Sequence, residues 1–144
     1  MQTSSISVLE GHHLAATEDD EVASMENTDR LDIPEGVEVY EIDGPFFFGL
    51  ASRFEELEQM KKPGTKVRII RMRKVPFIDS TGINNLRNLC ERTHKRGVTV
   101  ILSGVTENVH QTLVKFGVDL EIGPDNIFPH IIPALEKAAE IVKK

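Results

Sequence analysis

One short run of this 144-residue chain limits the possible folds more than any other. Val98-Thr99-Val100-Ile101-Leu102 is apolar almost throughout, with Gly97 before it and Ser103-Gly104 after it. A segment this short and this apolar, set between turn residues, suits a strand covered on both faces by helices. Strands of that kind belong to sheets joined by parallel crossovers, so helices are expected on either side of it.

The flanking sequence supplies them. Val37-Glu38-Val39-Tyr40-Glu41-Ile42 alternates apolar with acidic, the period of a strand with one face buried, and Asp43-Gly44-Pro45 follows as a turn. Phe46-Phe47-Phe48 reads as a second short strand or the approach to a helix. From Leu50 the period changes, with Leu50, Phe54 and Leu57 on one helical face until Pro63-Gly64 stops it. Val67-Arg68-Ile69-Ile70-Arg71-Met72 reads as a central strand flanked by cations, and a helix carrying Ile83, Leu86, Leu89, Cys90 and Thr93 on one side runs up to Gly97. After Ser103-Gly104 a third helix is expected to bury Val109, Leu113, Val114 and Phe116, with an edge strand over 119–122. A last helix is expected from about Asn126, burying Ile127, Phe128, Ile131, Leu135, Ala138 and Val142, with Pro133 able to kink or delay it. The pattern predicts an α/β fold: a small mixed, mostly parallel sheet covered by about four helices.

Charge divides the chain. Residues 1–36 hold nine acids and one base, Arg30, and every aromatic residue lies beyond them. So much like charge with so little to bury predicts a flexible acidic linker over 1–34 and one folded domain over 35–144. A single cysteine, Cys90, excludes an intrachain disulfide framework, and the longest apolar runs are far too short to cross a bilayer. No charged-then-apolar segment opens the chain, so the piece reads as a soluble domain without a secretory signal.

Chemistry-bearing motifs are few. No Gly-rich phosphate loop, dinucleotide fingerprint or nucleophile elbow is present, and the five histidines are scattered, so no catalytic residue, no metal site and no enzyme are expected. The sharpest feature is Asp79-Ser80-Thr81-Gly82, between a strand and a helix. Asp79 is placed as an N-cap, and Ser80 and Thr81 stand at the positive end of the helix dipole, where a phosphate would meet free amides but also Asp79. On local chemistry alone the same four residues also read as nothing more than a helix start. The second feature is a cationic run, Lys61, Lys62, Lys66, Arg68, Arg71, Arg73 and Lys74, which reads either as a solvated strand edge or as a site for an anionic partner. No aromatic interleaves it, so nucleic acid is not expected.

Taken together, Ile33-Pro34-Glu35-Gly36-Val37 through Gly44-Pro45-Phe46-Phe47-Phe48-Gly49, Val75-Pro76-Phe77-Ile78-Asp79-Ser80-Thr81-Gly82, Arg96 to Val105, and Asn126-Ile127-Phe128-Pro129 resemble the STAS domain of SulP-type anion transporters, from about residue 33 to the C-terminus. The acidic leader is similar to the connector after the last membrane helix of such transporters, which would make the chain an excised fragment beginning at Met1. The resemblance implies a cytoplasmic C-terminal module of a sulfate, bicarbonate or related transporter, on the inner face of the cell membrane. Such a module is non-catalytic, and it serves membrane assembly, dimer organisation and regulation. Its partners would be the transmembrane domain, a cytosolic regulatory protein or kinase, and a second copy. The wider family includes anti-sigma-factor antagonists, stand-alone phosphoswitches in which a kinase phosphorylates the serine after the loop aspartate. That role falls on Ser80 here, although many transporter versions lack a hydroxyl at this position. No cofactor is expected. Nucleotide or anion binding is carried on Lys61, Lys62, Arg71, Arg73 and Lys74.

Overall fold

In the computed structural model, strand β5 (Val67–Lys74) shows why the apolar runs alternate as they do. Val67 and Ile69 face one side of a sheet and Ile70 and Met72 the other, all fully buried, so helices must cover both faces. The structure describes residues 5–9, 13–15, 30–43 and 64–143. Strand β4 (Val37–Asp43) pairs with β5, and β5 with β6 (Thr99–Ser103), both in parallel. Strand β1 (Ser5–Leu9) adds to β4 antiparallel, giving the order β1-β4-β5-β6. Strands β2 (His13–Ala15) and β3 (Arg30–Asp32) make a separate antiparallel pair.

The helices divide between the two faces. Helix α1 (Ser80–Lys95), α2 (Glu107–Lys115) and the short α3 (Val118–Ile122) pack Ile83, Leu86, Leu89, Val109, Leu113, Val118 and Ile122 against Tyr40, Ile42, Ile70, Met72, Val100 and Leu102. Helix α4 (Ile131–Lys143) lays Ile131, Ala134, Leu135 and Ala138 on Val39, Val67, Ile69 and Ile101. The result is the expected small α/β architecture, with three parallel strands and four α-helices among the described residues.

Several local expectations are corrected. The edge strand over 119–122 is helical: Val118 and Ile122, four apart, are buried and Leu120 is 73% exposed. The strand position beside β6 goes instead to Ile127, which bridges Leu102 in parallel, while the Phe128 amide donates to the Leu102 carbonyl at 2.9 Å. That extended segment, fixed by Pro129 behind it, is why the last helix begins at Ile131 and not near Asn126. Pro133 consequently falls in the first turn, where its missing N–H costs nothing. Val114 and Phe116, expected in the core, are 49% and 41% exposed because α2 turns only Val109 and Leu113 inward. The strand over 37–42 has both faces buried, and Glu38 and Glu41, three residues apart, lie on opposite ones.

Residues 5–9, 13–15 and 30–32 are strands within the stretch whose charge predicts a flexible linker. The averaged charge hides a neutral beginning: residues 1–9 carry no charged side chain, and Ser5-Ile6-Ser7-Val8 alternates at strand period. The strand or helix approach expected over 46–48, the helix expected from Leu50 to Pro63, and Lys61 and Lys62 lie outside the described residues.

Candidate functional site

The carboxyl ends of β4, β5 and β6 lie along one edge of the sheet, because all three strands run parallel. From that edge the chain leaves β5 through Val75-Pro76-Phe77-Ile78 and enters α1. Asp79 has an extended backbone, its carboxylate accepts a 2.7 Å hydrogen bond from the Gly82 amide, and its carbonyl accepts from the Ile83 amide at 2.8 Å. The side chain thus satisfies one of the free amides of the first turn. Gly82 and Ile83 turn inward, while Ser80 and Thr81 remain exposed on the rim. The Asn108 side-chain amide donates to the Pro76 carbonyl at 3.0 Å and ties this loop to α2. Phe77, 46% exposed, stands beside it. Arg92, His94 and Lys95 occupy the last turn of α1, where cations offset the negative end of the dipole.

The cationic run does not form one surface. Arg68 is fully buried under α1: it contacts Glu38 at 3.3 Å, donates to the Thr93 hydroxyl at 3.4 Å and lies 4.8 Å from the centre of the Tyr40 ring. Its role is structural, which removes it from the anion-facing set. Arg71, one of the candidates for nucleotide or anion binding, is buried beside Glu41 at 3.9 Å. Arg73 and Lys74 sit at the sheet edge and converge on the same carboxylate. Arg73 Nε and Nη2 lie 3.2 Å from Glu41 Oε1, and Lys74 Nζ lies 3.3 Å from Oε2.

Consecutive strand residues normally point to opposite faces. Here the pairing slips between Glu41 and Asp43, with Glu41 opposite Arg71 and Asp43 opposite Lys74, so β5 carries one extra residue. That irregularity brings Arg71, Arg73 and Lys74 to one acid. Glu41 is the residue missed in the sequence. Its odd spacing from Glu38 is the signal that the two acids serve different faces. Lys66, in the same run, is exposed.

Among the described residues no three His, Cys, Asp or Glu side chains come together as a metal site. Cys90 faces the core, and its thiol is pushed up from 9.0 to about 12, first by burial and then by the charges of Glu121 and Glu91, so it stays protonated. An exposed hydroxyl at a capped helix tip and a separate acid–cation cluster lie along the same edge.

The STAS domain family model matches residues 30–138. The chain belongs to the STAS domain family. A sulfate transporter family protein from Wolinella succinogenes has a crystal structure 39% identical to this domain, with a TM-score of 0.74 over 87% of this chain and 99% of that one. The STAS domain of a SulP transporter from Vibrio cholerae is 36% identical, with a TM-score of 0.70 over 77% of this chain and 87% of that one. A Bacillus subtilis (strain 168) protein assigned as a sulfate transporter, YvdB, is 32% identical over 97 residues, which make up 65% of this chain and 18% of that much longer protein. At 18% identity, a Thermotoga maritima protein assigned as an anti-sigma factor antagonist shares the fold, with a TM-score of 0.61 over 78% of this chain and 92% of that one. This STAS domain therefore groups with those of SulP transporters. None of its described helices is long and apolar enough to cross a membrane.

Proposed function

We propose that the chain is the cytoplasmic C-terminal STAS domain of a SulP-type transporter for sulfate, bicarbonate or a related anion, acting there as a non-catalytic regulatory and protein-interaction module. The observation that carries this reading is the rim formed by Phe77, Ser80 and Thr81. It is exposed, held by the Asp79 cap and the Asn108 bond to the loop, and no hydrogen bond joins the Ser80 hydroxyl to an acid or base among the described residues. A rigid, exposed helix tip suits docking to the membrane domain, to a cytosolic regulator or to a second copy.

The reading frame that encodes the chain gives the first test. A series of membrane-spanning segments on the N-terminal side of Met1 is expected, and a frame without them overturns the proposal. Asn84 is exposed one turn along α1 from Ser80, and in the parent protein Thr81→Arg together with Asn84→Arg should lower sulfate uptake several-fold at unchanged membrane abundance. Unaltered uptake would remove the rim from regulation.

The exposure of Ser80 at the start of α1 favours one second reading, a phosphoswitch of the anti-sigma-factor-antagonist kind. Phosphate there would add about −1.5 to −2 charges at one helix tip, next to the Asp79 carboxylate. Incubation with ATP and a cognate kinase, followed by intact-mass measurement, would reveal an added phosphate that Ser80→Ala abolishes. An unchanged mass would dispose of this reading.

A further inference from the structure

The Glu41 cluster does more than join β4 to β5. Arg73 grips both oxygens of the Glu41 carboxylate, with Nε and Nη2 3.2 Å from Oε1 and Nη2 3.3 Å from Oε2, and Lys74 closes on Oε2 at 3.3 Å. This is the planar fork by which arginine receives an oxyanion, with an ammonium alongside. The site opens to solvent on the Lys74 side, since the Lys74 side chain is 46% exposed while those of Arg73 and Glu41 are 13% and 11% exposed. Three cations, Arg71, Arg73 and Lys74, thus converge on the single carboxylate of Glu41.

Two further features support a built site. Ser103 lies opposite Arg71 on β6, in the same cross-strand row as Glu41, and its fully buried hydroxyl has no hydrogen-bond partner among the described residues. Gly104, at φ 66°, packs so closely that a Cβ there would come within 2.7 Å of the Arg73 backbone nitrogen. The exit of β6 therefore fixes where Arg73 stands.

We propose that Arg73 and Lys74 bind a small inorganic oxyanion free in solution, and that Glu41 is the carboxylate the anion displaces. A divalent oxyanion interacts more strongly with these cations than a single carboxylate does, whereas Glu41 competes at the high effective concentration of a tethered group. The balance sets binding in the millimolar range and favours sulfate over chloride. From Arg73 the chain runs through Lys74 and Val75-Pro76-Phe77-Ile78 to Asp79, so one short loop joins this cluster to the rim around Ser80. Anion binding itself is independent of whether that rim docks to a membrane domain, and either idea can fail alone.

The test is titration of the full chain with sodium sulfate, against sodium chloride at matched ionic strength, following the Arg73 Nε–H and Gly104 amide resonances. Sulfate stabilises folded proteins generally by exclusion, so a rise in melting temperature alone decides nothing. Saturable sulfate-specific shifts at both positions by about 50 mM are expected, with about tenfold tighter binding in Glu41→Gln and none in Arg73→Gln. Should Glu41→Gln fail to fold, Lys74→Gln serves in its place and should weaken binding several-fold. Wild-type shifts that are absent, or that follow chloride equally, overturn the proposal.

Discussion

Strand β5 carries two acid–arginine pairs that look alike in one dimension and behave differently in space. Arg68 with Glu38 lies near the amino ends of β4 and β5, roofed by α1 and backed by Tyr40. Arg73 with Glu41 lies at the carboxyl edge, beside half-exposed Lys74. Under α1 the Arg68 guanidinium is shut from water and its charge depends on Glu38, so the pair holds the sheet to the helix. At the carboxyl edge, water reaches the Lys74 side of the cluster. The cover of α1 over Arg68 and the open flank at Lys74 separate the two pairs more than residue type does.

The largest expected effect tests that separation. Arg68→Ala leaves Glu38 and Tyr40 facing a void and should cost about 3–5 kcal/mol of unfolding free energy. Arg68→Met, which refills the volume, should recover a good part of the loss. Arg73→Gln, at the edge, should cost about 1–2 kcal/mol. Urea unfolding of the three variants gives the ranking. Equal losses for Arg68→Ala and Arg73→Gln would erase the difference between the pair under α1 and the pair at the carboxyl edge.

A second test uses the other buried ionisable group on the inner side of α1. The thiol of Cys90 ionises near 9.0 when unfolded and near 12 when folded. The folded form holds its proton longer, so this contribution is whole below about pH 9 and declines as pH rises toward 12. The slope is about 1.4 kcal/mol per pH unit. Urea unfolding at about pH 8 and about pH 10.5 should show a smaller alkaline loss in Cys90→Ala than in the wild type, and a thiol reagent should modify Cys90 only on unfolding. Prompt labelling of the native protein would mean that α1 opens readily and that its underside is not a closed interior.

The legible parts of the molecule are those where a local pattern allows one solution. Val98-Thr99-Val100-Ile101-Leu102 between glycines fits only a covered strand, and Asp79 ahead of Ile83 and Leu86 has few roles other than a cap. Val118-Asp119-Leu120-Glu121-Ile122 fits both a strand and one helical turn. The choice was made by Ile127 taking the position beside β6, which no local pattern reveals. Arg68, Arg71, Arg73 and Lys74 read as a single basic run because their partners, Glu38 and Glu41, come from another strand about thirty residues earlier. A slip in pairing opposite Glu41 then redirects the side chains, and an interstrand irregularity has no residue signature of its own here. The Asp79 cap is legible because capping is local. The Glu41 cluster was missed because it is not.

The smallest effects belong to the edge itself. Asp79→Ala removes the bond to the Gly82 amide and should lower stability by about 1 kcal/mol, as losing an N-cap carboxylate usually does. Ser80→Ala, one residue along, removes an exposed hydroxyl that holds nothing and should change stability by less than about 0.5 kcal/mol. The pair isolates structure from contact within a single turn. If docking depends on this rim, Ser80→Ala or Thr81→Ala should alter partner binding at unchanged melting temperature, whereas Asp79→Ala should lower both together. A Ser80→Ala protein destabilised as much as Asp79→Ala would show that the hydroxyl serves the fold, and the rim would then have no spare group to offer a partner.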